Sequence, residues 1–236
     1  MPRTLFVLIF AFFLLHTYGQ NTLTKKQIAE GWQILFNGKT LQGFTSAGKT
    51  SFPDEGWTVS NGILTLSATP SGRQGPGDLL TQQQFSAFEL TFQYKLVAGA
   101  NSGIKYFVTL EKGAGAIGLE FQLLDDSLHP DARNGVNGDR TLGSLYDLIP
   151  AIRNKPVNYM EWNSGKIIVT PDNHVEHWLN GVKVLAYDRG SPAFRELVAK
   201  SKYAHFDHFG EASAGYILLQ DHRDAVSFRN IFIRRL

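Results

Sequence analysis

Residues 88–96 alternate without a break: Phe88, Leu90, Phe92, Tyr94 and Leu96 are apolar, while Glu89, Thr91, Gln93 and Lys95 are polar. Successive side chains of a strand point to opposite faces, so such a run presents one apolar face that a second layer must cover. Shorter runs of strand character recur at 56–59, 63–66, 104–110, 118–124, 157–162, 166–169, 175–179, 182–187, 216–220 and 226–233. Asn61-Gly62 and Asn180-Gly181 each separate two of them, and Asn-Gly takes the positive φ of a tight hairpin turn. Helical signals are confined to two places. Thr24 and Gln27 form a capping-box pattern at the start of 24–30, and Ser191-Pro192 opens a second segment over 192–200. The pattern predicts an all-β chain: a two-sheet antiparallel sandwich with one or two short helices.

The amino terminus reads as a targeting segment. Arg3 precedes an unbroken apolar run from Leu5 to Leu15, and the small residues Thr17 and Gly19 follow. That is a signal peptide over 1–19 with cleavage before Gln20. The run is 11 residues long, well short of the ~20 that a membrane span requires. The expectation is an exported protein, periplasmic or secreted, with no membrane span after cleavage and a single domain over 20–236. With no cysteine there is no disulfide framework, thiolate nucleophile or thiolate zinc site. A net charge of +2 without a basic stripe argues against nucleic acid as a partner.

The most informative segment for chemistry is 118–126. Leu119, Phe121 and Leu123 share one face of a strand there, and Glu120 and Gln122 share the other. A carboxylate and an amide in mid-strand suit a face that binds polar ligands; a plain solvent-facing polar stripe is the competing reading. Tyr216, Gln220 and His222 align in the same way near the end of another run. Trp162-Asn163 and His177-Trp178 set aromatic surface beside polar groups, either for sugar stacking or as ordinary core packing. His177 shares its strand face with Val175 and Leu179, which also suits a buried, hydrogen-bonded histidine. The polar stretch 125–147, with Asp125, His129 and Asp139, is long enough for a binding loop. The Gly-rich 72–78 loop lacks the context of a phosphate loop. His205 and His208 make at most half of a metal site, and the 125–147 loop lacks a calcium-loop spacing. A two-carboxylate glycosidase is disfavoured: the positions in line are Glu120, Gln122 and Asp125, and Gln122 cannot ionise.

A further pattern emerges from nine stretches taken in order. They are Gly31 to Lys39, Asn101-Ser-Gly-Ile104, Glu120 to Asp126, Gly143-Ser-Leu-Tyr-Asp147, Glu161-Trp-Asn163, His177-Trp-Leu-Asn-Gly181, Ser201-Lys-Tyr203, Gly215 to His222 and Phe228-Arg-Asn-Ile231. With them the chain resembles the 3-keto-disaccharide hydrolase domain family. It departs from that family at Lys105, where an arginine is usual. The resemblance implies a concanavalin A-like jelly roll that cleaves glycosides carrying a ketone at position 3 of the sugar.

The implied chemistry needs a base for the carbon-bound proton beside the ketone, a group to stabilise the enolate and an acid for the leaving group. Glu120 is the expected base, with His129 or His222 as acid or alternative base. Lys105, Gln122, Asp125, Trp162, Asn163, His177 and Gln220 are expected to bind substrate, and all but Lys105 to join the three catalytic candidates on one concave face. A divalent cation could take the place of the enolate donors. A lectin-like carbohydrate-binding module without catalysis, and a conventional endo-glucanase, are the alternatives.

Overall fold

The computed structural model describes residues 20–47, 56–111 and 115–236; the expected signal peptide over 1–19 lies outside the described residues. In chain order the strands are β1 (Gln33–Ile34), β2 (Phe44–Ser46), β3 (Trp57–Ser60), β4 (Ile63–Leu66), β5 (Leu79–Phe85), β6 (Phe88–Leu96) and β7 (Asn101–Glu111). They continue as β8 (Gly115–Leu124), β9 (Asn163–Val169), β10 (His174–Leu179), β11 (Val182–Asp188), β12 (Gly215–Leu219) and β13 (Val226–Arg235). Helix α1 (Lys25–Ala29) follows its Thr24–Gln27 capping box, and α2 (Pro192–Ala199) follows its Ser191 cap.

The strands form two antiparallel sheets. One has eight strands, with β11-β10-β9-β6-β13-β4-β3 in order and β1 added on β13; the other has five, in the order β2-β5-β12-β7-β8. The two pack as a jelly-roll sandwich. The alternation in β6 is realised in full: its five apolar residues are buried and its four polar ones only half-buried. Phe92 meets Phe121 of the opposite sheet edge-on, with ring centroids 5.5 Å apart. Both Asn-Gly hairpins form with positive φ at each residue, 50° and 75° at 61–62 and 47° and 81° at 180–181.

The sequence reading contains none of β1, β2 and β5 and places one strand that does not form. Residues 157–162 form no strand; the amide of Asn163 grips Asn158 N–H at 2.9 Å and its carbonyl at 2.8 Å, closing the segment into a turn. Conversely, β5 carries the polar run Thr81-Gln-Gln-Gln84, which hides it from an apolar pattern, yet it pairs with both β2 and β12.

Candidate active site

One ladder row crosses the five-stranded sheet from Leu80 through Leu218 and Lys105 to Glu120. These side chains lie on the outer face. At one side Leu80, Val108 and Leu218 form a small buried apolar cluster. At the other, Lys105 and Glu120 stand opposite each other, with Nζ 3.9 Å from Oε2. Glu120 is only 4% exposed. Its carboxylate lies over Gly103, where an added Cβ would come 2.4 Å from Oε1, so the glycine makes room for it. Burial raises the carboxyl pKa, while the charges of Lys105 and Lys202 pull it back in part.

The 125–147 loop builds the wall beside this row. After the 3₁₀ turn Pro130–Arg133, the chain returns along the free edge of β8. Gln122 N–H donates to Ser144, Gly143 N–H to Gln122 and Tyr146 N–H to Glu120, at 3.1, 2.8 and 3.0 Å. Arg140 then ties Asp131 (3.0 Å) to Asp147 (2.6 Å), and Tyr146 donates its hydroxyl to Asp131 at 2.8 Å. Burial alone would push Asp131 up; the bonds from Tyr146 and Arg140 outweigh it and hold the carboxyl low. Lys202 reaches over the Tyr146 ring, 4.1 Å from its centroid, and burial lowers its pKa against the opposing pull of Glu120. From the Gly-rich loop, Asp78 accepts Asp221 N–H at 2.7 Å; burial raises its pKa, opposed by that bond and by Lys105.

Further along β7, Asn101 Nδ2 lies 3.4 Å from His222 Nε2. The His129 and His222 rings are 6.0 Å apart, edge to face. One ligand atom from each of His129, His222 and Asp224 lies within 4.8 Å of the others, an arrangement able to hold a metal ion. Five buried side-chain polar atoms among the described residues have no hydrogen-bond partner, and three belong to this face: Asn101 Oδ1, Gln122 Oε1 and Gln220 Oε1. Each such acceptor costs about 1–3 kcal/mol unless a donor satisfies it, and sugar hydroxyls are donors.

Six of the expected site residues lie on this face or on the segments at its rim: Lys105, Glu120, Gln122, His129, Gln220 and His222. Four do not. Asp125 spends its carboxylate on Gly99, Ser127 and Leu128 N–H groups and the Ser127 hydroxyl, which hold its pKa low despite burial. It shapes the turn that starts the loop. Trp162 lies on the outer face of the opposite sheet, under the Arg229 guanidinium at 4.0 Å. Asn163 is buried in the turn it closes. His177 is fully buried between the sheets, bonded to the Tyr106 hydroxyl at 2.7 Å and the Gly143 carbonyl at 3.0 Å. Its alternation with Val175 and Leu179 already pointed inward.

The expected site residues did not include Asp78, Asn101, Tyr146, Lys202 and Asp224, while Asp131 and Arg140 entered only as members of the polar 125–147 loop. Asn101, Tyr146 and Lys202 sit inside short stretches already quoted above, so the signal was present. Asp78 and Asp224 sit in no distinctive spacing.

The model of the 3-keto-alpha-glucoside-1,2-lyase-like domain matches residues 31–234. The chain belongs to this family. A 3-keto-disaccharide hydrolase of Bacteroides thetaiotaomicron is 34% identical over 232 residues, covering 88% of this chain and 79% of the relative. A crystal structure of a Parabacteroides distasonis protein, provisionally named a glycosyl hydrolase, superposes with a TM-score of 0.80 at 30% identity. It covers 92% of this chain and 100% of its own. A second such protein from that organism gives a TM-score of 0.66 at 26% identity, covering 87% of this chain and 99% of its own. Every one of the nine motif stretches falls within 31–234.

Proposed function

We propose that this member of the family cleaves 3-keto-glycosides by elimination and hydration, with Glu120 as the base. The observation that carries the reading is the setting of Glu120: a buried carboxylate with a raised pKa, beside two lysines, on a face with three unpartnered amide oxygens. A raised pKa makes this carboxylate a stronger base than an ordinary solvated one.

In the proposed reaction Glu120 takes the proton from C2, beside the C3 ketone. The electron pair forms the enolate, which collapses to a C1–C2 double bond as the C1–O bond breaks and the aglycone oxygen takes a proton. Water then adds across the double bond and returns the free 3-keto sugar, so the sum is hydrolysis. Lys105 and Lys202 place positive charge where the enolate develops. Asp78, kept protonated more readily by its burial, is suited to donate to the leaving oxygen.

The name of the Bacteroides relative supports the 3-keto substrate class, and a buried central carboxylate is compatible with proton removal beside the ketone. The test is aglycone release from a 3-keto-glucoside and from the same glucoside unoxidised. Release from the keto sugar alone is expected. Release from the unoxidised sugar sinks the mechanism, and saturable binding of both sugars without release favours a carbohydrate-binding module. We further propose export with removal of 1–19; Asn21, whose side chain donates to Gly62 and accepts from Asn230, anchors the chain just beyond the cut.

A further inference from the structure

At one end of the outer face two imidazoles and a carboxylate converge. His129, His222 and Asp224 each bring one ligand atom within 4.8 Å of the other two. Ligand atoms about one first-row ion, at roughly 2.0–2.2 Å from it, stand roughly 3–4 Å apart, so small side-chain adjustments close the set. An independent observation points into the same place. Asn101 is 2% exposed, its Oδ1 has no partner, and its amide nitrogen is 3.4 Å from His222 Nε2, two nitrogens with little to gain from each other unless one is a bare acceptor. The two ends of an amide are interchangeable in orientation. Turned over, Asn101 brings its orphaned oxygen beside the imidazole at the spacing of two ligands on one ion.

The supports are also present. Asp224 Oδ2 accepts Asn101 N–H at 2.9 Å, which fixes that carboxylate and leaves its other oxygen for an ion. His129 caps the 3₁₀ turn, taking Asp131 N–H on Nδ1 at a long 3.2 Å, a contact that a ring turning toward an ion gives up at small cost.

We propose that His129, His222, Asp224 and the Asn101 amide oxygen bind one divalent transition-metal ion. Two imidazoles with two oxygens suit Zn²⁺ or its first-row neighbours rather than Ca²⁺ or Mg²⁺. The use of the ion rests on the function proposed above: it would supply a Lewis acid to the ketone oxygen, opposite the base. Asp131, whose N–H meets His129 Nδ1 and whose carboxylate takes the Tyr146 hydroxyl, links this end to the loop that runs beside Glu120.

The experiment strips the purified protein with chelator, titrates it with Zn²⁺ by calorimetry and counts the bound metal. One ion per chain is expected, bound at least tenfold more weakly by His222→Ala and by Asp224→Asn. A His205→Ala/His208→Ala double variant and Glu120→Gln should bind as the parent does. Histidine ring-nitrogen NMR on the unmodified protein removes any dependence on how the variants fold: the 129 and 222 imidazoles should shift first. No saturable uptake, uptake unchanged in His222→Ala, or shifts confined to 205 and 208 would overturn the site. Keto-glucoside cleavage is followed in parallel. Stoichiometric uptake without cleavage refutes the enzymatic reading and leaves the metal site standing, whereas chelator-resistant cleavage without uptake does the reverse.

Discussion

His177 and Glu120 are both buried ionisable residues in mid-strand, both driven toward the neutral form, and they serve opposite ends. His177 lies between the sheets, where burial pulls its pKa down to about 4. Each of its nitrogens has a partner, Tyr106 on one side and Gly143 on the other. Glu120 lies on the outer face of the five-stranded sheet with one lysine at 3.9 Å, and its neighbours Gln122 and Gln220 keep oxygens unpaired. Burial alone does not separate a structural polar group from a reactive one. Satisfaction does: a closed network stabilises the fold, and an open one is ready for a ligand.

The sharpest way to break this contrast is to neutralise Glu120. Glu120→Gln should lower keto-glucoside cleavage by ~10²–10⁴-fold while sugar binding persists. Its stability should hold or rise at neutral pH. An acid whose folded pKa is raised loses stability as pH climbs from its ordinary value of 4.5 through the raised one, and the amide escapes that loss. Near-parental turnover would end the assignment.

His177 should behave the other way round. His177→Ala should cost about 2–5 kcal/mol in urea unfolding, through the cavity and the orphaned Gly143 carbonyl. In the parent, a base with a lowered folded pKa loses stability as pH falls from 6.5 toward 4. That loss is about 3 kcal/mol over the window, and it should disappear in a variant without the imidazole. A stability curve flat between pH 6.5 and 4 would contradict the buried, neutral histidine.

A smaller effect is expected at Lys202. Lys202→Met removes a charge that holds the Glu120 pKa down, so the acidic limb of the pH–rate profile should move to higher pH. Turnover at neutral pH should drop about tenfold, one contact of roughly 1.4 kcal/mol. An unmoved limb would place Lys202 outside the electrostatic reach of the base. Least affected should be Trp162→Ala, whose indole lies beneath Arg229 on the far side of the sandwich. It should leave KM for the keto sugar within twofold of the parent, because the residue never meets the site; a large rise in KM would put sugar on both faces.

The strands from Phe88 to Leu96 and the two Asn-Gly hairpins were readable because their causes are local: side-chain alternation and turn conformation need no distant partner. The pairing of Glu120 with Gln122 on an outward face was readable for the same reason. Residues 157–162 were misjudged because the turn closed by the Asn163 amide outcompeted their strand signal, a contest between backbone and side-chain hydrogen bonds that pattern does not settle.

Period two determines that Glu120 and Leu119 part company, but it does not say which face is water, which is core and which is cleft. That was decided when β8 became the edge of the smaller sheet and residues 143–146 folded back along it. Lys105 met Glu120 through register with β7, Lys202 arrived from a segment some eighty residues away in sequence, and His222 reached His129 across the end of the sheet. A strand's own sequence specifies two faces. Only the packing of two sheets and the path of one loop assign a solvent, and hence a pKa, to each.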